Sequence, residues 1–202
     1  MKNKNYPGDP EWIENLRKMH PFTLAIYVSI IGICIMFLFL FIGFNITKNN
    51  SNILISRWFT ISTIILLLSS FVANQLKIQF KKDNLVKLLR FYYLSLFFGF
   101  SFGITQLFAW YSMLENGFSF GGENISYTYI YLLSGLHLLH FMGGIIYMVY
   151  LIFKALKAKK DVIVRLVFST DPYELMLIDL LRIYWHFMGI LWLILYFGFL
   201  LV

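Results

Sequence analysis

The feature that most constrains this chain is a set of five apolar runs, each long enough to cross a bilayer. They cover approximately residues 22–44, 54–76, 91–114, 127–153 and 183–202. At a helical rise of about 1.5 Å per residue, roughly 20 such residues match about 30 Å of hydrocarbon. In that solvent every backbone N–H and C=O must find a partner within its own segment, so each run is predicted to be a helix. The runs are too long, and too free of alternation, for the strands of a β-barrel. Composition agrees: 59% of residues are hydrophobic and only 13% charged, about half the charge of an ordinary soluble domain. The expected fold class is all-α, an integral membrane bundle of five transmembrane helices forming one membrane domain over residues 1–202.

The net charge of +7 invites a nucleic-acid reading, but the basic residues fall in short blocks between apolar runs. Nucleic acid is therefore not an expected partner. Counting those blocks gives an orientation. Lys2, Lys4, Arg17 and Lys18 precede the first run; Lys77, Lys81, Lys82, Lys87 and Arg90 lie between the second and third. Lys154, Lys157, Lys159, Lys160, Arg165 and Arg182 lie between the fourth and fifth. Only Lys48 and Arg57 fall on the other side, a split of 15 to 2 among the 17 basic residues. The positive-inside rule then predicts a cytoplasmic N-terminus and a periplasmic C-terminus. No cleavable signal peptide is expected, because the first run is too long for a signal core and lacks a small-residue cleavage site.

The fifth helix is expected to start before its membrane segment, near residue 172. Asp171 suits an N-cap, Pro172 the first helical position and Glu174 the first turn. Asp179 and Arg182, three apart, can pair on that extension. The basic stretch from Lys154 to Arg165 reads as a topology determinant touching anionic lipid.

Helices in lipid associate where small residues let backbones approach. Ser95, Gly99 and Gly103 form such a stripe in the third run, and Gly32 and Gly43, eleven apart, share a face of the first. Ser62 pairs with Ser69, and Thr63 with Ser70, on faces of the second. Helix packing is the expected role of all of these, and of Gly144 in the fourth run.

Chemistry-bearing residues inside the spans are few. His137 and His140 sit three apart on the fourth helix and His186 opens the fifth. Intramembrane histidine is costly and asks for an explanation. Structural zinc takes four ligands and catalytic zinc three, and no carboxylate or thiolate lies at the depth of these histidines. A bis-histidine haem would need His186 together with one of the other two. Hydrogen-bonded structural histidines are the expected reading, and no metal site is assigned. Cys34 stands alone, which excludes an intrachain disulfide and a CxxCH haem attachment. The deep parts of the spans carry no acidic residue, which disfavours an ion-coupled transporter.

Several segments, in order, resemble subunit III of haem–copper cytochrome c oxidases in its short five-helix bacterial form. His20-Pro21 is similar to the family's entry to its first shared helix, and Ser62-Thr63 with Ser69-Ser70 to its Ser/Thr-marked helix. Lys81 to Leu85 resembles a bacterial connection, and Gln106 and Trp110, after Gly99 and Gly103, the next helix. Ser134 to His140 with Gly144 resembles the Gly-x-His-x-x-His-x-x-x-Gly helix. Tyr184-Trp185-His186-Phe187 with Trp192 resembles the Trp-His-Phe-x-Asp-x-x-Trp helix. Three positions depart: Ile33 stands where the family has a Glu, Gly189 where it has an Asp, and Leu138 where a Gly is common.

The resemblance implies a subunit of a proton-pumping oxidoreductase complex with no catalytic residue, haem or copper of its own, in the bacterial inner membrane. Redox chemistry would belong to partner subunits I and II, within an assembly that can extend to a larger respiratory supercomplex. Phospholipids would occupy a cleft, with His137, His140, His186, Trp185, Gln106 and Trp110 as lipid-binding or structural polar residues. The equivalent subunit of a quinol oxidase is the alternative, and a haem b membrane anchor a more remote one.

Overall fold

The computed structural model describes residues 20–47, 56–122 and 124–200. The expected basic residues Lys2, Lys4, Arg17, Lys18 and Lys48 lie outside these, as do the first two and last two residues of the second and fifth predicted spans. Six helices and no strand occur among the described residues: α1 (Pro21–Thr47), α2 (Arg57–Lys81), α3 (Leu85–Glu115), α4 (Ile125–Lys160), α5 (Val162–Thr170) and α6 (Pro172–Leu200). Five of them, all but α5, are long and apolar enough to cross a membrane. The fold is therefore an all-helical membrane bundle, as the runs predict.

Helix boundaries run past the apolar segments, because a helix need not stop where the hydrocarbon does. The third begins at Leu85, with the Asn84 side chain accepting from the Lys87 N–H at 3.1 Å. The fourth continues through Lys154 to Lys160, which carries the basic strip on regular helix. Asp161 caps α5 by accepting from the Ile163 N–H at 2.8 Å. Asp171 does the same for Tyr173 at 2.8 Å, and Pro172 takes the first position of α6, as expected. The separate helix α5 was not predicted; its nine residues are too few to stand out against the apolar runs on either side.

α6 is the centre of the bundle, packing on α2, α4 and α1, while α2 and α3 form a close antiparallel pair and α3 also meets α4. α1 lies at the margin against α4 and α6 and exposes most of its apolar surface. Aromatic rings fill the core: Phe59, Phe102, Phe141, Trp185, Trp192 and Phe199 are all buried. The described basic residues other than Arg57 gather near the ends of α2 and α4 and the starts of α3 and α6, so the bundle has one basic end.

Candidate functional site

The hydroxyl-bearing face of α2 is the seam of the molecule. Ser62 Oγ and Thr63 Oγ1 each donate to the Phe59 carbonyl, at 2.8 and 2.7 Å. That spends the single hydroxyl proton on the helix itself and leaves the oxygen lone pairs free to accept. Donors from two other helices take them. Gln106 Nε2 of α3 donates to Ser62 Oγ at 3.0 Å, and Trp192 Nε1 of α6 to Thr63 Oγ1 at 3.0 Å. Trp185 Nε1 of α6 donates to Ser69 Oγ at 2.8 Å. The device recurs between α3 and α4, where Trp110 Nε1 donates to Ser134 Oγ at 2.9 Å while Ser134 donates to the Ile130 carbonyl. Indole N–H and carboxamide groups have no water to turn to at this depth, so each pairing fixes a helix-to-helix register. Gln106, Trp110 and Trp185 thus each bridge two helices.

The three histidines do not converge. His137 is fully buried in a box of Phe37, Phe102, Phe141 and Trp192, with ring centroids 5.0–6.5 Å away. Neither of its nitrogens has a hydrogen-bond partner among the described residues. That corrects the expectation of a hydrogen-bonded histidine at this position: the surrounding rings, two of them edge-on at 77°, replace polar partners with weak contacts to aromatic faces. His140 is hydrogen-bonded, its Nδ1 donating to the Leu136 carbonyl at 2.7 Å. The same turn is held from α6, because Tyr184 OH donates to the His140 carbonyl at 2.8 Å. His186 is hydrogen-bonded through Nε2 to Asn74 Oδ1 of α2 at 2.8 Å. No group of three His, Cys, Asp or Glu residues able to hold a metal occurs among the described residues.

Asn74 belongs to a charged clamp at the basic end. Lys77 Nζ lies 2.7 Å from Asp179 Oδ2, and Arg182 Nη2 2.8 Å from Asp179 Oδ1. Arg182 Nη1 also donates to Asn74 Oδ1 at 3.4 Å. The predicted Asp179–Arg182 pair is present, but the α2 half of the clamp, Asn74 and Lys77, was not foreseen. A second ion pair, Lys154 with Glu174, ties α4 to α6.

Between α1, α4 and α6 runs a cleft of about 490 Å³. Ile33 and Ser29 form its α1 wall, His140 and Gly144 its α4 wall, and Tyr184 closes it from α6. Gly144 keeps this wall low: a Cβ there would lie 3.1 Å from the Tyr184 ring.

The small residues divide. Ser95 and Gly99 are buried, Gly99 against Trp185, and Gly103 faces Leu138. Gly43 meets Tyr129. Gly32 is exposed, with no atom of the described residues near its missing Cβ, so within them the expected packing face of Gly32 with Gly43 extends to Gly43 alone. An eleven-residue interval does align them, but α1 touches its neighbours along a narrow line. Two further glycine contacts tie α6 to α1 and α2. Gly198 sits against the Phe41 ring, where a Cβ would overlap it, and a Cβ at Gly189 would lie 3.1 Å from Ser70 Oγ. Single glycines in an apolar run form no stripe, so no pattern announced them.

No family model matches the chain. Three curated relatives do. Over 187 residues the chain is 27% identical to a cytochrome bo(3) ubiquinol oxidase subunit 3 of Buchnera aphidicola, a match covering 89% of the chain and 92% of that protein. Probable cytochrome c oxidase subunits 3 of Nocardia farcinica and Mycobacterium leprae are 26% and 25% identical. These matches cover 64% and 66% of the chain and 59% and 61% of those proteins. In its five long apolar helices and over much of its length, the chain is thus similar to subunit 3 of the cytochrome oxidases.

Proposed function

We propose that this chain is a non-catalytic accessory subunit, free of haem and copper, that packs beside the catalytic subunit I of a bacterial terminal oxidase. The observation that carries the reading is the fate of its motif residues. Gln106, Trp110, Trp185 and Trp192 all donate to hydroxyls of neighbouring helices, and the three histidines point to different surroundings. Side chains so committed hold a bundle together, and among the described residues they form no convergent set of ligands. The exposed apolar faces of α1 and α3 offer a partner subunit or lipid the contact they need. In the inner membrane the basic end would face the cytoplasm by the positive-inside rule. The cleft walled by Ile33, His140 and Tyr184 would take phospholipid chains.

The relative matched over 92% of its length is a ubiquinol oxidase subunit, and this supports a second reading, in which the parent complex oxidises quinol rather than cytochrome c. Affinity purification through a tag on this chain, from mild-detergent extracts of native membranes, tests both. The expected eluate contains a larger haem-bearing subunit. Electron paramagnetic resonance of that eluate separates the readings, since a mixed-valence copper signal marks the cytochrome c type and its absence the quinol type. A tagged chain that elutes without any haem-bearing partner would refute the accessory role.

A further inference from the structure

We infer that α5 is an interfacial helix that lies in the headgroup layer of an anionic leaflet, inserting its outer apolar face among the lipids. Its two faces are separate. At 3.6 residues per turn, Val162, Ile163, Leu166 and Val167 fall within an arc of about 140°, and Phe168 and Val164 lie on the far side. The far side is fastened to the bundle. Phe168 is buried against Phe80, ring centroids 5.4 Å apart, and Arg165 Nη2 donates to the Asp83 carbonyl at 3.2 Å. The outer face is bare: Val162 is 84% exposed, Ile163 74%, Leu166 66% and Val167 60%. A short connecting helix in water would not hold four branched apolar side chains outward while spending its Phe and Arg on anchorage.

The level of α5 in the bundle says what meets that face. The Lys154–Glu174 ion pair joins α4 to α6, and Lys154 Nζ sits 5.6 Å from the Tyr150 ring and 5.5 Å from the Tyr173 ring. Tyrosine with lysine marks the membrane–water boundary. α4 runs six residues beyond Lys154 to Lys160, and α6 starts two residues before Glu174. At 1.5 Å per residue, α5 therefore lies about 3 to 9 Å outside the boundary, within the headgroup zone where amphipathic helices settle. The charge around it fits one lipid class. Lys81, Lys82, Lys157, Lys159 and Lys160 are exposed near its ends, and each basic residue near an anionic surface adds attraction. Phosphatidylglycerol and cardiolipin supply that charge, whereas a zwitterionic headgroup does not.

The test uses the full chain in its purified complex, in nanodiscs. Cys34 is exposed on α1 and is replaced by Ala, and a polarity-sensitive fluorophore is placed on Leu166→Cys or Val162→Cys. Both positions are exposed, so the substitutions remove no core contact. In discs containing phosphatidylglycerol, the expected result is blue-shifted emission, strong quenching by acyl-brominated lipid and at least fivefold weaker quenching by iodide than at Lys160→Cys. Lipid quenching should fall at least twofold when phosphatidylcholine alone is used. Iodide quenching equal to the Lys160→Cys control would overturn the proposal, since the face would be solvated. Protection from both quenchers would also overturn it, because a protein partner would then cover the face. Lipid quenching indifferent to phosphatidylglycerol would overturn the anionic class.

Discussion

Replacing Thr63 by Val tests whether the hydroxyl seam holds the bundle. The two side chains have nearly the same shape and both are β-branched, so helix propensity and packing volume change little. What changes is one oxygen. Trp192 is fully buried and its Nε1 donates to Thr63 Oγ1 at 3.0 Å; in the variant that N–H has no acceptor. A buried donor left unpaired costs about 1–3 kcal/mol in water-soluble proteins, and interhelical hydrogen bonds in membranes about 0.6–1.7 kcal/mol. The extra buried methyl offsets part of this, so a loss of about 1 kcal/mol is expected, roughly fivefold in the folding equilibrium. Equilibrium unfolding in mixed micelles, titrated with sodium dodecyl sulfate, measures it. A double-mutant cycle with Trp192→Phe isolates the pair, and the two losses should be less than additive by about the same 1 kcal/mol. A Thr63→Val variant as stable as the parent, with zero coupling, would refute the argument that these hydroxyls act as interhelical acceptors.

His137→Phe should keep or raise the unfolding midpoint, because it removes two unpaired nitrogens from an aromatic box and replaces them with carbon; a loss above about 2 kcal/mol would show that the imidazole has an unseen partner. Ile33→Glu should give α1 a carbodiimide-reactive site, mapped by mass spectrometry, and lower stability, since the new carboxyl enters the cleft that Ile33 shares with His140; failure to label would mean that the cleft does not admit a reagent of that size.

The sequence made the spans legible because lipid allows few alternatives. A run of some 20 apolar residues in a bilayer has one backbone solution, whichever side chains it carries. The Asp171–Pro172 start of α6 was legible for a local reason, since capping depends on residues within one turn. The pairing across helices was not. Ser62, Thr63 and Ser69 announced a polar face, but nothing in their spacing says that Gln106, Trp192 and Trp185 are the donors, which depends on how three helices are rotated about their axes. His137 misled for the same reason: its neighbour His140 has a carbonyl to bond on its own helix, while His137 turns towards Phe102 and Trp192 on other helices. Gly32 illustrates the converse, since a shared face with Gly43 does not create a neighbour for it. α5 was hidden by its length and by the lysines before it, which drew attention to charge rather than to the four apolar side chains that follow.

The distribution of haem within the proposed parent complex tests the central claim most directly. Stripping this chain from the purified oxidase with a harsher detergent, separating the fractions and recording reduced-minus-oxidised spectra of each would locate the cofactor. The chain is predicted to leave without a Soret band, while the residual core keeps its full haem content per subunit I. A Soret band that travels with this chain, and that is lost on substitution of His137, His140 or His186, would contradict the account.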